Sequence, residues 1–227
     1  MPRILAIETS GKIASVALAN GEQILAEHEF PHGLKHAAEI IPAIDQVCKS
    51  HHRKPGDVEH IYVSVGPGSF TGLRIGITLA KTFAMATGAK LVAVPSVAVL
   101  AENAPAEAKD LIIVLDAKRE QIFTARFTRE KGLWIEVESP HLDSLAAILN
   151  RSPKPVHLLG EGIPFHQNVI ATQSSDAVIC CDAKLWTARA SQVVHLGAKS
   201  AAAGQFISPD QLLPTYIRQA EAEEKWD

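Results

Sequence analysis

Runs of hydrophobic residues divide the first part of the chain into short strands and two helices. The runs at 3–9, 15–21 and 23–30 predict strands, and Asn20-Gly21 favours a tight antiparallel turn between the last two. From 36 to 51 apolar residues recur at helical spacing, which predicts an amphipathic helix provided that Pro42 lies in its first turn. Further strands are predicted at 59–66 and 90–96, with a helix after each. The chain therefore opens with an antiparallel meander and continues as alternating strands and helices.

The second half repeats this plan of strands followed by helices. Strands are predicted at 110–117, 121–128, 133–140, 155–162 and 176–183, and helices at 142–150 and 187–204. The polar, proline-containing stretch at 102–109 is the candidate boundary. We predict an α/β protein with mixed sheets and a two-lobe actin-like, sugar-kinase-like (ASKHA, RNase H-like) fold. The predicted lobes are residues 1–103 and a smaller or degenerate lobe at 104–227, whose C-terminal tail is free to return to the first.

The helix after the glycine-rich turn "VGPGSFTG" is apolar almost all round. Between Leu73 and Met85 only Arg74 and Lys81 are charged, and small residues recur every four positions. An apolar helix must be covered on all sides, by its own lobe or by another chain, and a ridge of small residues admits a second helix closely. We predict a partner interface formed with the preceding helix, at His36, Ile40, Ile44, Gly72, Leu73, Gly76, Ile77, Ala80, Phe83 and Ala84.

The glycine-rich turn does not match the established phosphate-binding patterns. It lacks the Lys-Ser/Thr pair of a P-loop. Its GxGxxxG spacing approaches the dinucleotide fingerprint, but the following strand "LVAVPS" carries no acidic residue for a ribose. The glycines are therefore predicted to make a tight turn, with Ser69 or Thr71 capping the helix. The N–H groups of the helix start leave weak anion contact open.

Candidate ligands elsewhere are few. Glu8, Thr9, Ser10 and Gly11 end the first strand, and are either an ordinary turn or a vestigial nucleotide contact like the phosphate loop of actin-like ATPases. His32 and His36 have HxxxH spacing but lack a third ligand, so we predict no metal site. Asp116 lies beside Lys118, where surface ion pairing is the simpler interpretation than catalysis. The residues therefore indicate no catalytic centre.

Net charge, cysteine spacing and hydropathy bear on the kind of protein and on its location. The chain has 227 residues and a formal net charge of −3, which does not favour a protein that binds nucleic acid alone. Its three cysteines show no CxxC spacing and are interpreted as reduced, buried thiols. No signal peptide or membrane-spanning run is recognised, which predicts a cytoplasmic location.

Taken in order, several motifs resemble the TsaB family, also called YeaZ. They are "ILAIETS" at 4–10, the histidine-containing segment at 32–44, "VSVGPGSFTGLRIG" at 63–76, "LDAKREQIF" at 115–123, "GEG" at 160–162 and the tail at 214–225. The glycine-rich segment is the specific part, and the resemblance extends over essentially the whole chain.

The resemblance implies a non-catalytic scaffold or activator in the biosynthesis of threonylcarbamoyladenosine beside the tRNA anticodon. It implies a heterodimer with TsaD through the first-lobe helices, a ternary complex with TsaE, a homodimer when alone, indirect contact with tRNA and no contact with membranes. ATP and a metal ion are expected in the partner proteins, with none bound strongly by this chain. Two alternatives stay open: a stand-alone ATP-binding or M22 glycoprotease-like hydrolase, and a homodimeric binding module unrelated to tRNA.

Overall fold

Two mixed β-sheets organise the chain, one in each of two units. The computed structural model describes residues 1–31, 36–174 and 176–217. The first unit comprises Met1–Val99 and Ala188–Thr215, and the second comprises Leu100–Thr187 and 216–217. The chain therefore passes into the second unit a few residues before the predicted boundary at 103/104. The last helix, which was predicted within the second lobe, lies in the first unit.

In the first half of the chain the elements follow the predicted order, whereas the strand predicted at 110–117 is two strands and the helix at Gln167–Ile170 was not predicted. The strands are β1 Arg3–Glu8, β2 Ile13–Asn20, β3 Gln23–Pro31, β4 His60–Ser64, β5 Lys90–Val94, β6 Asp110–Ile113, β7 Leu115–Asp116, β8 Ile122–Glu130, β9 Leu133–Asp143, β10 Val156–Leu159 and β11 Val178–Cys180. The helices are α1 His36–Lys49, α2 Phe70–Thr87, α3 Ser96–Ala101, α4 Leu145–Arg151, α5 Gln167–Ile170 and α6 Ala190–Ala202.

The sheet of the first unit has the strand order β3-β2-β1-β4-β5. β1, β2 and β3 pair antiparallel, whereas β4 and β5 add in parallel on the other side of β1. The predicted hairpin is confirmed, although its two-residue loop is Gly21-Glu22, with Gly21 in the left-handed region at φ 58°. Gly21 provides the positive φ that such a turn requires.

Alternation along the strands separates two cores in this unit. Leu5 and Ile7 face α1 and α2, whereas Ile4 and Ala6 face α6 on the opposite side of the sheet. Because successive strand residues point to opposite faces, a strand covered on both faces is apolar at every position. α6 completes the second face, and Gly197 allows it to approach Tyr62, whose ring leaves no space for a Cβ. This packing accounts for the inclusion of 188–215 in the first unit.

The second unit contains a sheet of order β11-β10-β6-β8-β7, with β9 paired to β8. β6, β10 and β11 run parallel, and β8 is antiparallel to its neighbours. Its core is formed by Ile112, Leu158 and the buried face of α4. The α/β class with mixed sheets is therefore confirmed.

Two local predictions have different outcomes. Ser69 is the N-cap of α2, since its Oγ accepts a hydrogen bond from Gly72 N at 3.3 Å, as predicted. Pro42 lies inside α1 rather than in its first turn, because α1 begins at His36, so that prediction was wrong.

Among the described residues, no helix combines the length and hydrophobicity needed to cross a membrane.

Candidate functional site

The small residues of α2 pack against β1 of the same unit. A Cβ on Gly76 would meet the Thr9 Oγ1, and one on Gly72 would meet the Thr9 carbonyl oxygen. Ala80 and Ala84 continue this buried row. The N-terminal half of the ridge predicted to admit a partner helix is therefore in contact with Ile7 and Thr9. Glycine every four residues indicates a close approach, but the spacing does not identify the approaching element.

The same correction applies to most positions predicted for the partner interface. Buried within the first unit are Ile40, Ile44, Gly72, Leu73, Gly76, Ile77, Ala80 and Ala84. Phe83 is partly exposed, and the His36 side chain lies outside the described residues. These positions contribute to the core of the first unit and are not accessible to a partner in this conformation.

The outer faces of α1 and α2 carry apolar side chains that remain accessible. Ile41 is 55% exposed on α1, next to the exposed Pro42, and Met85 is 76% exposed on α2. Ile75 and Leu79 are only partly buried. We call these five residues, together with the exposed Ala38, Arg74, Thr78 and Thr82, the helix-pair surface. Both helices cover the same face of the sheet, so this surface is presented on one side of the unit.

The glycine-rich turn is filled by the chain's own backbone. A Cβ on Gly66 would lie 2.8 Å from the Thr215 carbonyl oxygen, and one on Gly68 would lie 2.8 Å from the Ser10 Cβ. Ser69 N donates to the Ser10 carbonyl at 2.8 Å. These glycines are therefore required by close backbone contacts between residues 9–10, 66–72 and 215, and those contacts account for the turn without a phosphate.

The predicted vestigial nucleotide contact lies largely below the surface. Glu8 and Thr9 have no exposed area, Ser10 is 8% exposed, and Gly11 is partly exposed. The Glu8 Oε1 accepts a hydrogen bond from Ser10 N at 2.6 Å. Burial raises the pKa of Glu8, and the neighbouring polar groups of Ser10 and Ser64 lower it without overcoming this rise. In this conformation Gly11 is the accessible member of the group, since Ser10 is also buried.

The remaining candidates are His32, His36 and Asp116. His32 and the side chain of His36 lie outside the described residues, and those that are described contain no cluster of three or more metal-ligating side chains. Burial raises the pKa of Asp116, but hydrogen bonds from Lys118 outweigh it and hold this pKa below its usual range. Lys118 Nζ lies 2.8 Å from Asp116 Oδ2, which is the predicted surface pairing.

The cysteines differ in exposure. Cys48 and Cys181 are buried and free, as interpreted from the sequence, whereas Cys180 is exposed. Burial raises the pKa of Cys181 to about 12, so its thiol is protonated at neutral pH.

Comparison with curated proteins shows similarity along the whole chain. A family model described as TsaD, tRNA N6-adenosine threonylcarbamoyltransferase, matches residues 32–226. The tRNA threonylcarbamoyladenosine biosynthesis protein TsaB of Bacillus subtilis is 31% identical, over 98% of this chain and 97% of that protein. The protein of the same name from Escherichia coli is 26% identical, over 95% of this chain and 94% of its own length.

Solved structures show the same fold. YeaZ from Pseudomonas aeruginosa has a TM-score of 0.80 at 24% identity, covering 95% of this chain and 100% of that one. A protein described as similar to peptidase YEAZ from Pseudomonas aeruginosa has a TM-score of 0.81 at 23% identity, covering 96% and 100%.

Proposed function

The chain belongs to the TsaB family, also called YeaZ, and from this premise we propose that it is a non-catalytic scaffold that binds and stabilises TsaD. Family membership places the chain in tRNA threonylcarbamoyladenosine biosynthesis. The proposal adds that the chain activates TsaD and recruits TsaE, and that tRNA reaches the chain through this complex. ATP and the metal ion are assigned to the partners.

The observation that carries the proposal is the helix-pair surface. Met85 and Ile41 place large apolar side chains on the outside of two adjacent helices, where water contact is unfavourable. Accessible apolar groups gathered on one side are typical of protein interfaces. Arg74 stacks on the Phe70 ring at 4.0 Å, which adds a flat, weakly hydrated cation at the start of α2. We propose that the same surface mediates self-association when TsaD is absent.

The buried residues of α1 and α2 support the proposal indirectly. Because Gly76, Leu73 and Ile44 anchor both helices to the sheet, the helix-pair surface is held on a rigid base. A preformed surface binds with less loss of conformational entropy than one that orders on contact.

Cells that lack this chain provide the test of the proposed function. Their tRNA should lose threonylcarbamoyladenosine, measured by mass spectrometry of digested nucleosides, and the wild-type chain should restore it. A tagged chain should co-purify with the cell's own TsaD, and should retain TsaE only when TsaD is present. Unchanged nucleoside levels after deletion, or a purified chain that forms the product without TsaD, would contradict the proposal.

A further inference from the structure

Glu8 is a buried carboxyl group that no cationic side chain of the described residues contacts. Its side chain has no exposed area, its Oε1 accepts a hydrogen bond from Ser10 N at 2.6 Å, and its Oε2 has no hydrogen-bond partner. Within the described ranges, no salt bridge reaches it. Burying a carboxyl group with one unpaired oxygen is unfavourable. The hydrogen bond at the other oxygen comes from the backbone N–H of Ser10.

A continuous series of hydrogen bonds joins Glu8 to the start of α2. Ser10 N donates to Glu8 Oε1, and the Ser10 carbonyl oxygen accepts from Ser69 N at 2.8 Å. Ser69 is the N-cap: its Oγ accepts from Gly72 N at 3.3 Å, and its carbonyl oxygen accepts from Leu73 N at 2.9 Å. Ser10 is thus held on one side by the carboxyl group and on the other by the cap.

Close packing leaves this arrangement little freedom. A Cβ on Gly68 would lie 2.8 Å from the Ser10 Cβ, and one on Gly72 would meet the Thr9 carbonyl oxygen. A shift of residues 9–10 would therefore displace the loop that begins α2. The helix-pair surface, including Arg74 and Ile75, starts within one turn of that loop.

We infer that Glu8 is a positioning residue for the partner-binding surface: by accepting the hydrogen bond from Ser10 N, it fixes the Ser69 cap and the first turn of α2. The requirement is for an acceptor at this distance from the backbone. Gln preserves it, because its amide oxygen can accept from Ser10 N, whereas Asp is one methylene shorter and Ala has no acceptor. The part of this inference that concerns TsaD affinity rests on the proposed function.

Hydrogen exchange of the free chain tests the inference without a partner. In Glu8→Asp and Glu8→Ala, amides at 68–73 should exchange about five- to tenfold faster, the ratio expected for a lost cap, whereas α4 in the second unit should be unchanged. Glu8→Gln should match the wild-type chain at both places. The Asp variant keeps the test decisive if Ala prevents folding. Wild-type exchange at 68–73 in the Asp variant, an equal increase in the Gln variant, or an equal increase in α4 would overturn the inference.

TsaD affinity supplies the second readout. The Asp variant should bind TsaD more weakly, by about the same factor by which hydrogen exchange at 68–73 becomes faster. The Gln variant should bind TsaD with wild-type affinity. If the wild-type chain does not bind TsaD, the proposed function fails, while the exchange measurement still decides the role of Glu8. If the Asp variant binds TsaD normally despite faster exchange, the positioning role is wrong.

Discussion

The Thr9 hydroxyl lies against Gly76 so closely that a methyl group at position 76 would overlap it. Thr9 follows β1, and Gly76 lies in the second turn of α2, so this contact fixes the helix on the sheet. Thr9 has no exposed area, and its Oγ1 has no hydrogen-bond partner in the part of the chain that the structure describes. The hydroxyl therefore packs against Gly76 through van der Waals contact and makes no hydrogen bond there.

We predict that Gly76→Ala lowers the free energy of unfolding by about 1–2 kcal/mol, because overpacking outweighs the better helix propensity of alanine. Thr9→Ala should be near neutral, since it removes an unpartnered hydroxyl. In the double variant the nearest neighbours of the new methyl group are at 3.4 Å, an ordinary contact, so most of the loss should disappear. Urea denaturation followed by circular dichroism measures all three variants.

Gly56→Ala is the matched control, because no atom lies within 4 Å of a Cβ at that position. It should change stability by less than about 0.5 kcal/mol. Additive effects of Thr9→Ala and Gly76→Ala would show that the two residues do not interact.

Ser15 joins the first meander to α6. Its Oγ accepts a hydrogen bond from Ala190 N at 2.8 Å in a buried position. We predict that Ser15→Ala destabilises the chain by about 1–3 kcal/mol, because it leaves that N–H buried without an acceptor. Hydrogen exchange should increase first at 190–193. Exposed Ser50→Ala is the control, and equal effects of the two changes on stability would contradict this role of Ser15.

The ion network at β9 and α4 predicts a loss of stability in acid. Arg151 lies 2.9 Å from Glu138 and 2.7 Å from Asp143, and its hydrogen bonds hold the pKa of Glu138 below the usual range. Burial raises the pKa of Asp143, but Arg151 outweighs it. Because the pKa values of Glu138 and Asp143 are lowered in the folded state, this stabilisation is complete above their unfolded-state pKa values of about 4. It is lost as the pH falls through their folded-state pKa values.

Arg151→Met should therefore lower stability at pH 7 by no more than about 1 kcal/mol, since Arg151 is 40% exposed and screened by solvent. The difference from wild type should shrink below about pH 3 and in high salt. Denaturation curves across pH measure it. A difference that stays constant with pH would contradict the network's contribution.

Glu8 predicts the opposite dependence on pH. Its folded pKa is raised by burial, so the native state keeps a proton that the unfolded state loses as pH rises above ~4.3. The wild-type chain should therefore lose stability relative to Glu8→Gln by up to about 1.4 kcal/mol per pH unit until the folded pKa is reached. Paired denaturation series measure this difference, and a flat difference across that range would contradict a raised pKa.

The sequence predicted the elements that depend on local patterning. Continuous apolar runs at β1 and β4, the hairpin at Gly21 and the Ser69 cap are all encoded within a few residues. The place of α6 could not be predicted in this way, because it depends on contacts such as Tyr62 with Gly197 and Ser15 with Ala190, far apart in the chain. The helical spacing of apolar residues does not by itself specify which sheet the helix packs against.

Most positions predicted for the partner interface lie on the faces of α1 and α2 that pack against the sheet. Gly72, Gly76 and Ala80 suggested an external partner, whereas Thr9 lies against both glycines, Ile7 lies against Gly76, and Ala80 is buried. The signal that would have corrected this is the position of Met85 on the side of α2 opposite the small-residue row, which leaves Met85 facing outward once that row is buried.

The affinity of TsaD for variants of the helix-pair surface tests the central proposal most directly. By isothermal titration calorimetry, Ile41→Glu and Met85→Glu should each weaken binding by about tenfold or more, because each places a charge in an apolar contact, with unfolding curves unchanged. Leu133→Glu, at a residue 55% exposed on β9, should bind as wild type does. Wild-type affinity in both helix variants would contradict the account.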